Sequence, residues 1–121
     1  MTIIVAVPGT TEGPVALRAG VAEAKNLGTD LVAVNLGIAK LDVSGFAGDV
    51  PITVVERTGR GDRDPVDAVL DEIDERGATR LVIAVRRRSL VSKAVLGSVS
   101  QRLILNSPIP VLAVKDDGTE A

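Results

Sequence analysis

Five short apolar runs punctuate the chain: Ile3 to Val7, Leu31 to Leu36, Ile52 to Glu56, Leu81 to Val85 and Val111 to Val114. Most are continuous and rich in β-branched residues rather than alternating with polar ones. That texture belongs to strands covered on both faces, as in a parallel sheet. Between the runs the period changes. The turn Pro8-Gly9-Thr10-Thr11 leads into a helix from about Gly13 to Leu27, with Val15, Ala19, Ala22 and Leu27 expected inward and Asn26-Leu27-Gly28 as its stop. A second helix carries the clearest local signals: Asp64 as cap, Pro65 at the first helical position, Val66, Val69, Leu70 and Ile73 on one face, and Gly77 at the close. A third opens at Gly97-Ser98, with Val99 and Leu103 on one face, and is followed by Pro108 and Pro110 ahead of the last strand.

Strands alternating with helices predict an α/β fold with right-handed crossovers and helices on both faces of the sheet. The connection Gly37 to Pro51 breaks the alternation. It is glycine-rich and weakly periodic, enough to cross over but shortened, so an irregular arm or a single turn is expected there, with Phe46 pinned to the sheet. Residues 1–115 are read as one domain and 116–121 as a flexible polar tail.

Composition narrows the chemistry. A chain of 121 residues with 45% apolar content supports a single core. No apolar run approaches the roughly 20 residues of a membrane span, and the N-terminus lacks the charged start of a signal peptide, so no membrane association and a cytoplasmic location are expected. The chain has no cysteine and no histidine, which removes thiol nucleophiles, disulfides and the imidazole used in most acid-base catalysis near neutral pH. With a net charge of −2 and Phe46 as the one aromatic residue, nucleic acid is not an expected partner. No enzymatic activity and no metal are expected. Arg60-Gly61-Asp62 spells an adhesion tripeptide, and a chance loop sequence accounts for it. Gly59 and Gly61 form a lone G-x-G, which a turn explains.

The most specific stretch is LGSVSQRLILNSPIPVLAV, residues 96–114. It resembles the universal stress protein family, whose fourth strand leads into a loop of the form G-x2-G-x9-G-[ST] and then "GSVSERVL…PCPVLVV". The resemblance covers essentially the whole chain except Gly37 to Pro51, where family members normally place a helix. It implies an open five-stranded parallel sheet of order 3-2-1-4-5, Rossmann-like and of the adenine-nucleotide alpha hydrolase-like kind. The ends of the first and fourth strands would then flank the ligand crevice, at Val7 to Thr10 and Ala84 to Arg88. The family motif is incomplete in this chain. Its first two glycine positions hold Ala84 and Arg87, and where the family commonly has V-A-V-D-G-S this chain has Val5-Ala6-Val7-Pro8-Gly9-Thr10. Arg87 brings a Cβ and a long side chain where a backbone must approach a phosphate, and Pro8 offers neither a side-chain acceptor nor an amide donor.

Two readings of function follow. In the first, the protein is a non-catalytic, homodimeric stress-response or regulatory domain with ATP binding weak or lost and no cofactor. In the second, ATP, another nucleotide or a phosphate-like anion binds through Gly9, Thr10, Arg86, Arg87, Gly97, Ser98, Val99 and Ser100, with Arg88 and Lys93 adding charge. Ser98 with Gln101 also forms a capping box, which explains Ser98 without any ligand, and an arginine run is most simply a solvated face. The expected dimer joins Val111 to Val114 with its own copy at the sheet edge.

Overall fold

In a computed structural model of the protein, residues 1–46, 48–56, 64–88, 93–95 and 98–116 are described, with the backbone alone for 86–88, 93–95 and 116. The chain runs β1 (Thr2–Val7), α1 (Glu12–Leu27), β2 (Asp30–Asn35), a 3-10 turn (Ser44–Phe46), β3 (Ile52–Val55), α2 (Pro65–Arg76), β4 (Arg80–Arg88), β5 (Lys93–Val95), α3 (Ser98–Asn106) and β6 (Val111–Asp116). Five strands form the expected parallel sheet. Their spatial order is β3-β2-β1-β4-β6, which is 3-2-1-4-5 when the parallel strands alone are numbered.

Side chains of the central strands alternate between two cores, as a pleated strand requires. Ile3, Val5, Val7, Leu31, Ala33, Val82 and Ala84 meet α1, while Ile4, Ala6, Val32, Val34, Leu81, Ile83 and Val85 meet α2 and α3. Helix α1 lies close because Gly20 carries no side chain: a Cβ there would stand 2.9 Å from the Cβ of Val5. The inward face of α1 differs from the expected one. Ala16, Leu17, Gly20, Val21 and Ala24 are buried, Val15 and Ala19 pack at the margin, and Ala22 and Leu27 face solvent. The helix is rotated so that Leu17 and Val21 meet the sheet together with the small residues Ala16, Gly20 and Ala24.

The local signals of α2 hold. The Asp64 side chain accepts from the Val66 amide at 2.9 Å, Pro65 opens the helix, and Gly77 closes it at φ 60°. Helix α3 begins on Ser98 itself, one residue earlier than a cap at that position would have it, and Gly97 lies outside the described residues. Leu103 is the buried side chain of α3, worth about 1.5–3 kcal/mol to its docking. The connection between β2 and β3 contains a single 3-10 turn, and Leu41, Val43, Phe46 and Val50 pack against the α1-side core. Strand β6 takes in Asp116, which the sequence assigned to the tail, and 117–121 fall outside the described residues.

A further difference lies after β4. The stretch Arg86 to Arg88, expected as a loop, continues the strand and pairs antiparallel with β5 as Arg86↔Val95, Arg87↔Ala94 and Arg88↔Lys93. Arg86 also pairs with Asp116 of β6. A strand has two edges, so β5 lies on the β1 side of β4. The β1 ladder to β4 has ended by then, at Val5↔Val82.

Asp64 ties the two helices of one face together. Its carboxylate receives both Arg102 terminal nitrogens, at 3.3 and 2.7 Å, besides capping α2. The Arg102 hydrogen bond and then the Val66 amide hold its carboxyl below the ordinary value of 3.8. A group with a depressed folded pKa adds stability above its unfolded value and loses it as pH falls through the folded one. In Asp64→Asn the cap survives, since asparagine caps as well as aspartate, and the charge is removed. The variant should therefore melt slightly below wild type at pH 7, and the gap should close as pH drops below 3.8; thermal melts across that range read it directly.

Candidate functional site

Above the carboxyl ends of β1 and β2 lies a cleft of about 790 Å³. Its floor comes from Val7, Pro8, Gly9 and Thr10 at the end of β1, one wall from Gly13, Pro14, Leu17 and Arg18 of α1, and the other from Asn35 to Asp42 and Phe46. Loops after two adjacent parallel strands converge here, one strand over from the β1–β4 switch point where the crevice was expected, so Val7 to Thr10 line the cleft and Ala84 and Val85 do not.

Two glycines shape the cleft through close backbone approach. A Cβ on Gly9 would stand 2.8 Å from the Cα of Gly37, and a Cβ on Gly37 would stand 2.8 Å from the Cα of Gly9. Gly13 is similarly confined, its added Cβ falling 2.5 Å from the Pro8 carbonyl oxygen. Gly9 is thus required by packing. Thr10 lines the cleft, and its hydroxyl donates to the Glu12 carboxylate while its carbonyl accepts from the Gly13 amide at 2.9 Å. The start of α1 therefore already carries an anionic group of its own chain.

The other wall is organised by a residue the sequence reading did not single out. Asn35 is the buried polar side chain among the described residues, 3% exposed at the end of β2. Its Oδ1 accepts from the Gly37 amide at 2.9 Å, and its Nδ2 donates to the Ala39 carbonyl at 2.8 Å and to Glu56 Oε1 at 2.7 Å. Glu56 Oε2 accepts from the Leu41 amide at 3.3 Å. An asparagine closing an apolar run and followed by Leu-Gly was a visible turn signal, but its pairing with Glu56, 21 positions away, was not.

The rim is charged. Arg18, Lys40 and the carboxylate Asp42 are among the lining residues. The Ser44 amide, donating to Asp42 at 2.9 Å, holds that carboxyl below its usual range, so it stays ionised near neutral pH.

The residues proposed from sequence differ in their relation to the cleft. Gly9 and Thr10 line the cleft. Ser98, Val99 and Ser100 do not line it; Ser98 is exposed, Ser100 half-buried, and Val99 packs against the core on the α2 side. Arg86 and Arg87 sit in the β4 ladder to β5, and Gly97 lies outside the described residues, as do the arginine-glycine-aspartate loop and both residues of the lone G-x-G. Among the described residues no cluster of acidic side chains could hold a metal ion.

Fold and cleft together define an open Rossmann-like α/β domain with a cleft at the carboxyl edge of a 3-2-1-4-5 sheet. The profile of the universal stress protein family matches residues 43–115. A universal stress protein of Mycolicibacterium smegmatis is 36% identical, covering 96% of this chain and 98% of the relative. The chain belongs to the universal stress protein family. Among solved structures, a universal stress protein from Archaeoglobus fulgidus superposes with a TM-score of 0.70 at 26% identity, covering 95% of this chain and 98% of the other. The A. fulgidus protein in complex with dAMP does so with a TM-score of 0.63 at 22% identity, covering 95% and 98%.

Because the contact between Gly9 and Gly37 is backbone on backbone, neither side can yield by turning a rotamer. Gly37→Ala should lower unfolding free energy by about 1–3 kcal/mol in urea titration. Gly48→Ala, which has open space around the added carbon, should stay close to wild type in the same assay.

Proposed function

We propose that this protein is a non-catalytic regulatory member of its family that has lost the backbone clamp for a triphosphate, so that ATP binds weakly or not at all. The observation that carries this reading is the pairing of Arg86 to Arg88 with β5. A phosphate cradle needs successive amides converging on one point, as a loop of alternating backbone hands provides. An extended strand sends successive amides to opposite edges, into its neighbours. Pro8, at the end of β1, has no amide to add.

What the cleft accepts is then a ligand with little charge. The lining of the cleft is mostly apolar, which suits a nucleoside or nucleoside monophosphate better than the highly charged ATP, and a structural neighbour is known in complex with dAMP. Regulation by protein contact, without catalysis, agrees with a chain that has no cysteine, no histidine and no acidic metal cluster among its described residues.

Calorimetry with AMP and with Mg-ATP at millimolar concentration tests the proposal. ATP should bind no more tightly than AMP, with both in the high micromolar to millimolar range, about −4 to −5.5 kcal/mol. A low-micromolar dissociation constant for ATP would sink it.

Homodimerisation belongs to the same proposal. β6 pairs with β4 alone among the described strands, so its other edge carries open backbone groups. Leu112 is 37% exposed on this edge strand, and the preceding α3 exposes Ile104 and Leu105. Pairing β6 with its own copy satisfies both the backbone and the apolar side chains. Light scattering should report a dimer at micromolar concentration and a shift toward monomer for Ala113→Pro, since the Pro110 carbonyl and the Leu112 amide face β4 and the Ala113 amide points to the open edge; a wild-type monomer throughout that range refutes the dimer.

A further inference from the structure

We infer that Asn35 and Glu56 form the latch of a cover over the cleft, and that Ile38 is the part of the cover that closes on the ligand. The closing role of Ile38 rests on the cleft being the ligand site, as proposed above; the latch does not. Residues 37–41 follow β2 and form much of one cleft wall. Side-chain hydrogen bonds from Asn35 hold this segment at Gly37 and Ala39, and Glu56 holds it at Leu41. Both latch residues stand at the ends of neighbouring parallel strands and bond to one another, so the cover is fastened to the rigid sheet at two adjacent points. Asn35 is the stronger half. A buried amide that lost its partners would be costly, and this one spends its acceptor and both donors on the segment and on Glu56.

Between the fastened points Ile38 is fully exposed, yet it lines an otherwise largely apolar cleft. Asn35 bonds the residues on both sides of it, which puts Ile38 at the apex of a turn whose shape is set in advance. A large aliphatic side chain held in water at the rim of an apolar cleft gains burial once a ligand fills the space beneath it. The cover is therefore preformed, and the latch sets how readily it opens. Glu56 acts here as a positioning residue: it shapes the wall without lining the cleft itself.

Amide hydrogen exchange on the full chain, followed by NMR, tests the latch with no ligand present. In Glu56→Gln one of the two carboxylate acceptors becomes a donor, and the Leu41 amide should exchange about tenfold faster. In Asn35→Asp the donors to the Ala39 carbonyl and Glu56 are lost and a second carboxylate faces Glu56, so Leu41 should lose protection while Gly37, whose amide still finds an acceptor, keeps it. Amides of Val5 and Val32 in the core should keep wild-type rates. Unchanged exchange at Leu41 in both variants overturns the latch, and so does loss of protection that spreads evenly through the core, since the pair would then be holding the sheet rather than the cover. AMP is the probe for closure. Ile38→Ala should weaken AMP binding several-fold while leaving exchange at Leu41 as in wild type, and equal AMP affinity in the two proteins overturns the role given to Ile38. A wild-type protein that fails to bind AMP removes the ligand reading together with the closing role of Ile38, and leaves the latch to be judged on exchange alone.

Discussion

Strand β1 has no face turned to solvent. Its side chains alternate between α1 and the layer of α2 and α3, and its two edges are paired with β2 and β4. Everything else is arranged around that burial. Because β1 must be covered on the α1 side by a helix packed closely, Gly20 lies over Val5 and Gly13 over the Pro8 carbonyl, with Leu17 and Val21 filling the core beside them. Because β1 is central, the loops at its carboxyl end and at that of β2 are forced together, and the approach of Gly9 to Gly37 becomes the pivot of the cleft.

The cleft is built by loss as much as by addition. A helix in the β2–β3 connection would cover the α1-side core by itself. Here a single 3-10 turn does so with Leu41, Val43, Phe46 and Val50, and the segment before it is free to wrap the cleft. Polar groups then do the work that helix packing would have done. Asn35 and Glu56 fix the wall by hydrogen bonds, which are directional, so they define its shape more sharply than apolar contact would.

On the other side of β1 the change runs the opposite way. Order has been added: β4 runs on through Arg88 and takes up β5 on the β1 side. A loop able to fold around an anion and a strand able to pair with a neighbour are alternative uses of the same backbone groups. Arginine, with a Cβ and a long side chain, favours the second where glycine would permit the first. The fold is that of the family, and what distinguishes one site from another on such a fold is its loops and strand ends.

The sequence by itself determined the strand set, the α/β class, the sheet order through its resemblance, and the ends of α2. These depend on local periods and on the side chains of capping residues, both of which are written within a few positions of one another. Asp64, Pro65 and Gly77 were legible for that reason, as was the shortened connection. Only the tertiary structure decided which face of α1 turns inward, because Gly20 must sit where the helix comes nearest the sheet, and that distance is set by Val5 and Leu31 from elsewhere in the chain. It alone decided that Arg86 to Arg88 form a strand, since an extended stretch is stabilised by a partner and the partner lies beyond a turn. It also decided the cleft. Gly9 and Thr10 were found from the end of β1, but Asn35 and Glu56 meet only when β2 and β3 lie side by side, and no spacing along the chain records that meeting.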